Sequence, residues 1–302
     1  MKAHLHMKKF FKRWSLYIIT WIYIPFLLII GIIACYFAYI QKQERIYSTI
    51  DFTFHQLEKE YNSTIENFSQ LYLSIFENRG TNYNTILNYF SYNLNTDLSP
   101  MNKANVITTL RQMLNQDSRV QWIALYSDER EINYIMFKSE NYLHVLPEDF
   151  PYLEHMENKS AQMEVYGAEK VVNANTTSPL STYAICGGAP ANMGNGKILA
   201  GYTLAPFETI VEDSRHTLES LNYMIVAGNN IVYNSSGNFD ESLQTLPQLQ
   251  DFEKFHTSTL DNLFTYSVFG NSHTAILSYQ HSKQEVFLYS HQNTPFILLI
   301  VF

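Results

Sequence analysis

Residues 120–137 read Val-Gln-Trp-Ile-Ala-Leu-Tyr-Ser-Asp-Glu-Arg-Glu-Ile-Asn-Tyr-Ile-Met-Phe. Two apolar, aromatic-rich runs, Val120–Tyr126 and Ile132–Phe137, flank a short charged turn, Asp128-Glu129-Arg130-Glu131. Strand, polar turn, strand is the signature of a β-hairpin. It also marks the point where the chain changes from helical to β texture.

Upstream the period is helical. Phe54, Tyr61, Phe68 and Ile75 recur every seventh residue, and Ile50, Leu57, Thr64 and Leu71 interleave with them. That a/d pattern predicts one long helix over 41–78. Two readings of the stripe stand side by side. Ile50, Phe54, Leu57, Tyr61, Phe68, Leu71 and Ile75 form a homodimer seam, or the stripe packs on its own domain. Shorter helices are expected over 82–96 and 100–116, the second opened by Ser99 as cap and Pro100 in the first position.

Downstream the hairpin pattern returns. Met163–Val172 is a strand candidate, Ser181–Gly187 and Gly196–Leu204 form a hairpin, and Pro206 opens a helix with Phe207, Ile210, Val211, Ser214, Leu218 and Leu221 on one face. A smaller unit repeats the order. Tyr223–Ala227 and Ile231–Asn234 make one hairpin, 247–256 reads as helix, Leu263–Phe269 and His273–Tyr279 make a second hairpin, and Val286–Tyr289 is a last strand. The fold class is therefore α+β, with two antiparallel-sheet modules, each with helices on one side.

At the N-terminal end, residues 1–13 carry Lys2, Lys8, Lys9, Lys12 and Arg13 and no acid. The whole chain is −8, so the remainder is −13. Leu16 to Ile40 lacks any charge and exceeds the roughly 20 apolar residues that cross a bilayer. Trp14, Tyr17, Trp21, Tyr23, Tyr36 and Tyr39 stand where interfacial aromatics belong. A cleavable leader would end in small residues, whereas this run ends Ala34-Cys35-Tyr36-Phe37-Ala38-Tyr39, so it reads as an uncleaved anchor. The basic cluster puts the N-terminus in the cytoplasm and the body outside. At the other end, Pro295 opens the run Phe296–Phe302, which reads as the start of a second membrane helix over 293–302, with more chain beyond it. The expected divisions are a tail over 1–13, an anchor over 14–40, a helical segment over 41–117, a distal module over 118–215, a smaller proximal module over 216–292, and that second helix.

The acidic body excludes nucleic-acid binding through this region, since phosphate neutralisation needs a basic face. No motif for chemistry stands out. The Gly-rich stretch Cys186–Lys197 has Ala191 where a phosphate loop needs Gly, and a strand follows it instead of a helix. No His/Cys cluster has zinc spacing, no Gly-x-Ser-x-Gly elbow is present, and Glu212-Asp213 point to different helix faces. Neither an enzyme, a cofactor nor a metal is expected. His144 and His155 read as surface residues. Small-molecule sites combine apolar bulk with a few polar groups, which nominates Tyr126, Arg130, Tyr134, Tyr166, Tyr183 and Asp213.

The layout resembles the double Cache sensor regions of bacterial receptors, with two PAS-like sheets behind a membrane anchor and a signalling helix. The fragments that carry the resemblance are Trp122–Phe137 and Lys197–Val211, where Ile198-Leu199-Ala200-Gly201-Tyr202 runs into Ala205-Pro206-Phe207-Glu208. The nearest relatives in kind are Gram-positive sensors attached to AraC-type helix-turn-helix regulators, followed by sensor histidine kinases. The resemblance implies an unidentified small-molecule ligand in the distal module, between its sheet and the segment after the first hairpin. It also implies a dimer at the cell membrane and DNA contact only through an output domain absent from these residues. In the amino-acid-binding subset of the family an Arg and aromatic cluster lies on the distal strands. Arg119 and Trp122 are of that kind but stand at the start of the first strand. A membrane-tethered surface enzyme is the alternative from another class.

Overall fold

The computed structural model describes Trp14, Tyr17 and residues 19–76, 81–91, 97–156, 163–173, 179–189, 196–218, 221–227, 230–234, 267–269, 274–281, 284–291 and 296–301. The chain divides into two compact units, residues 1–51 and 52–302. A π-helical turn, Ile19–Tyr23, precedes α1, Ile24–Phe76. Pro25 lies in the first turn of α1, a position that suits its fixed φ. The apolar part of α1 is exposed, including Phe26, Ile29, Ile33 and Phe37. It is the one described helix long and apolar enough to cross a membrane.

Two further helices, α2 (Thr81–Ser91) and α3 (Pro100–Gln116), precede the first sheet. The Ser99 side chain accepts the Asn102 N–H at 3.3 Å, and the Ser99 carbonyl accepts the Lys103 N–H at 2.9 Å, so orphan donors of the first turn are satisfied. Val106, Thr109, Leu110, Met113 and Leu114 form the buried face of α3.

The first sheet contains β1 (Val120–Ser127), β2 (Tyr134–Phe137), β3 (His144–Val145), β4 (Glu164–Val171), β5 (Leu180–Gly188) and β6 (Gly196–Thr203), in the order β3-β2-β1-β6-β5-β4. All pairs are antiparallel. β2 starts at Tyr134 and not at Ile132, because the Asn133 side chain closes the hairpin. Its carboxamide oxygen accepts the Ser127 N–H at 2.8 Å, and its nitrogen donates to the Ser127 carbonyl at 3.1 Å. A short helix, α4 (Leu153–Met156), lies before β4, and α5 (Ala205–Arg215) follows β6.

The second sheet contains β7 (Leu221–Ala227), β8 (Asn230–Asn234), β9 (Ser267–Phe269), β10 (Thr274–His281), β11 (Gln284–His291) and β12 (Phe296–Val301), in the order β8-β7-β12-β11-β10-β9. In both sheets the first strand of the module pairs with the last, and the second strand lies outside the first. Sharing that permutation makes the fold a duplicated α+β architecture. The helix expected over 247–256 and the turn at Gly270-Asn271 lie outside the described residues.

One expectation is corrected. The run Phe296–Val301 does not begin a membrane helix. It is the strand β12, paired to β11 from Tyr289↔Ile297 to Glu285↔Val301 and to β7 from Val226↔Phe296 to Leu221↔Val301. A short uninterrupted apolar run suits a strand as well as a helix segment, and periodicity alone does not separate the two. Of the two readings of the heptad stripe, the structure shows packing on its own domain. Ile50, Phe54, Leu57, Tyr61, Thr64, Phe68, Leu71 and Ile75 are all buried within the single chain. The opposite face of α1 presents Phe52, His55, Lys59, Asn62, Glu66, Gln70 and Leu73, a mostly polar set.

Candidate functional site

Alternation along the strands sorts the first sheet into two faces. On one face, Ile123, Leu125, Tyr183, Ile185, Ala200 and Tyr202 are buried beneath helices. The Tyr89 hydroxyl of α2 donates to the Leu125 carbonyl at 3.2 Å, and the Tyr183 ring lies 5.8 Å from Phe207 of α5. The other face carries Trp122, Ala124, Tyr126, Ile135, Phe137, Tyr166, Ala184, Cys186 and Leu199. It is covered by Leu146, Phe150, Tyr152 and Met156 from the segment between β2 and β4.

The aromatic filling of that second face is anchored at its polar tips. Trp122 Nε1 donates to Thr182 Oγ1 at 3.0 Å, and the Tyr152 hydroxyl lies 2.5 Å from the Thr182 carbonyl and 3.0 Å from that of Gly167. Trp122 is paired across the ladder with Gly201, where a Cβ would fall 2.0 Å from the indole. The strand can bear this large ring only because its neighbour has no side chain.

At one end of the same face the lining turns polar. The register places Tyr126 opposite Lys197, Cys186 opposite Leu199 and Glu164 opposite Cys186. The Tyr166 hydroxyl donates to Glu164 Oε2 at 2.7 Å, and Lys197 is buried despite its charge. Burial, with Cys186 and Glu164 close by, raises the Tyr166 phenol well above its ordinary range. Burial likewise pushes the Cys186 thiol up to about 12, although Lys197 pulls it the other way. Both groups are protonated at neutral pH, so this end supplies hydrogen bonds and not a thiolate nucleophile. A second polar cluster borders the face. Glu140 accepts from Asn173 Nδ2 at 3.0 Å and contacts His144 Nε2. The reading of His144 as a surface residue is thus corrected: it is half-buried and paired with the carboxylate four residues before it.

The six nominated residues do not form one site. Tyr126 and Tyr166 share the filled face. Arg130 lies on the helix side, donating to the Tyr89 carbonyl at 2.5 Å with its guanidinium 4.5 Å from the Tyr89 ring centre. Tyr134 is on that side too, its hydroxyl on Asp97 and its ring under Lys103. Tyr183 is buried beneath the helices beside Tyr202, with ring centres 5.7 Å apart, and Asp213 is exposed on α5. Lys197 and Glu164 escaped the sequence reading because a lone Lys after a Gly-rich loop gives no signal until strand register fixes its face.

Arg119 takes neither face. It stands just before β1 and clasps α1. Its guanidinium meets Asp117 at 2.8 Å and Glu60 at 2.7 Å, and it donates to Thr64 Oγ1 at 3.0 Å. Asn67 of α1 donates to Asp117 at 3.2 Å. Burial by itself raises the Asp117 carboxyl, but hydrogen bonds from Arg119 and Asn67 and the Arg119 charge outweigh it and hold it below the usual carboxylate range. The Arg119 carbonyl accepts the Thr203 N–H at 3.0 Å, so the residue touches α1, β1 and the end of β6 together. Among the described residues no group of three or more His, Cys, Asp or Glu side chains is placed to hold a metal ion.

No family model matches the chain, and no curated protein matches it. Solved structures do. The extracellular domain of a histidine kinase is 9% identical, with a TM-score of 0.47, over 85% of this chain and 92% of that one. The sensory domain of the Campylobacter jejuni chemoreceptor Tlp3, solved with isoleucine bound, is 12% identical, with a TM-score of 0.43, over 86% of this chain and 94% of that one. A methyl-accepting chemotaxis protein is 11% identical, with a TM-score of 0.46, over 83% of this chain and 96% of that one.

Proposed function

We propose that this chain is the extracytoplasmic, small-molecule-sensing region of a membrane receptor of the double Cache type, with its N-terminus in the cytoplasm. The observation that carries the reading is the single helix Ile24–Phe76. Its segment Ile24–Tyr39 is uncharged, apolar and exposed on all sides, and its later part carries the buried stripe Phe54–Ile75. An element built this way serves as a membrane anchor and as part of a folded core at once.

The ligand site in this reading is the filled face of the first sheet, at the end where Tyr126, Tyr166, Glu164, Cys186 and Lys197 converge. The aromatic bulk there supplies apolar contact, and Lys197 supplies a cation for a ligand's acidic group. Arg119 is the joint through which a change in that sheet reaches α1. A ligand acts on such a joint only by its differential affinity for two arrangements of it. On the resemblance alone, the output of such a receptor is an AraC-type DNA-binding regulator, with a kinase as the second reading.

The orientation is the testable core. Asp128 is exposed in the turn between β1 and β2. Asp128→Cys in a Cys35→Ser background adds an accessible thiol beside buried Cys186. A membrane-impermeant maleimide should label it in intact cells. Labelling that appears only after the cells are permeabilised would place the sheet in the cytoplasm and end the receptor reading.

A further inference from the structure

A second cavity lies away from the filled face, between α1 and the far end of β5. Ser69, Tyr72 and Leu73 of α1, Met163 just before β4 and Gly187 of β5 line it, and it offers about 260 Å³ while remaining open to solvent on one side. The geometry points to a binding site for one small, uncharged, apolar molecule of one or two rings, held against α1.

Four observations support this. An apolar cavity of about 150 Å³ suffices for benzene, so the volume here accommodates a fused bicycle. The lining carries no acid or base. The Tyr72 hydroxyl is committed to the Gly188 carbonyl at 2.7 Å, and the Ser69 hydroxyl to the Ile65 carbonyl at 2.8 Å while lying 3.7 Å from the Met163 sulfur. A charged ligand would lose hydration with no counter-charge among these residues. The floor is fixed: a Cβ on Gly187 would lie 2.6 Å from the Tyr72 ring, so the ring rests directly on strand backbone. The rim is apolar and open, with Leu73 43% and Met163 44% exposed. A molecule in this cavity covers both of those side chains and bridges α1 to the sheet. The thioether of Met163 adapts readily to an aromatic ring. This inference is independent of the site on the opposite face and holds whether or not that face takes a ligand.

The test uses the full chain in lipid nanodiscs with 13C-methyl methionine, and indole as the probe. The Met163 methyl resonance should shift saturably, while those of buried Met113 and Met136 stay in place. Ser69→Ala keeps the room and should keep the shift. Ser69→Phe fills the cavity and should abolish it. If Ser69→Phe disturbs Met136, indicating misfolding, Leu73→Trp closes the cavity from its exposed rim and should abolish the shift instead. Indole-3-acetate, compared at matched free concentration, should bind at least about tenfold more weakly. Absence of a saturable Met163 shift, survival of the shift in the filled variants, or equal affinity for the anion would each overturn the assignment.

Discussion

Arg119 concentrates more partners than its position suggests, since it bonds to Asp117, Glu60, Ser63 and Thr64 from one side chain that is 14% exposed. Removing one member of a buried charged network leaves the others desolvated and unpaired. Arg119→Met should therefore cost about 3 kcal/mol in chemical denaturation. The pH dependence gives a second readout. The folded Asp117 carboxyl is held below its unfolded value, so its contribution is present above about pH 4 and is lost as pH falls through the folded value. The wild-type midpoint should fall across that acid window, and the Arg119→Met midpoint should fall less. Gly201 is the other residue where one atom decides. A Cβ there would meet the Trp122 indole at 2.0 Å, and Trp122 is fully buried and hydrogen-bonded to Thr182. Gly201→Ala should cost about 3 kcal/mol through overpacking and move the Trp122 fluorescence maximum. Neither residue was legible as such. Arg119 looked like a ligand contact because an Arg beside a Trp gives that impression until the partners of both are known. Gly201 is an unremarked glycine until cross-strand register sets it opposite an indole.

At the scale of elements, the sequence is read well wherever the period is local. Ser99-Pro100 fixed the start of α3, and the hairpin at 120–137 was visible from its own turn residues. An apolar stripe or run, by contrast, states that something covers it, not what does. The heptads of α1 allowed a seam or an intrachain core, and they are buried within the chain. Leu57 is fully buried within the chain, so Leu57→Ala should lower stability by about 3 kcal/mol. That loss should be the same at protein concentrations tenfold apart, whereas a seam shared by two copies would make it concentration-dependent. The run Phe296–Val301 is the second case. β12 has a hydrogen-bonded neighbour on each edge, so every N–H along it faces a partner strand. Ile300 pairs with Val286 on one side and Asn222 on the other, and Ile300→Pro removes a ladder donor from the middle of the sheet. Amide exchange in β7 and β11 should accelerate together. A helix leaving for the membrane would leave both strands unaffected.

For the whole molecule, the decisive fact is the uneven placing of charge and apolar surface. Five basic and no acidic residues precede an uncharged stretch, and the rest of the chain carries −13. Between Ile24 and Tyr39 the large side chains Phe26, Leu28, Ile29, Ile32, Ile33 and Phe37 are all exposed. Burying such area is worth roughly 25 cal/mol per Å², so a segment this exposed is stable only if something apolar covers it. The uncharged run Leu16–Ile40 around them exceeds the roughly 20 helical residues that span a hydrocarbon core about 30 Å thick. If a bilayer is what covers them, charge at mid-depth must release the chain. Arginine near the centre of a span costs about 2.5–3.5 kcal/mol, so Ile29→Arg with Ile33→Arg removes about twice that from the anchoring free energy. Both positions face outward, and the folded unit from Phe52 onward contains neither, so its thermal unfolding should be unchanged. In alkaline carbonate extraction the wild-type chain should stay with the membrane pellet and the double variant should move to the supernatant. A double variant that still sediments, with its unfolding unaltered, would mean that some other surface holds the protein to the membrane and that the N-terminal helix is not its anchor.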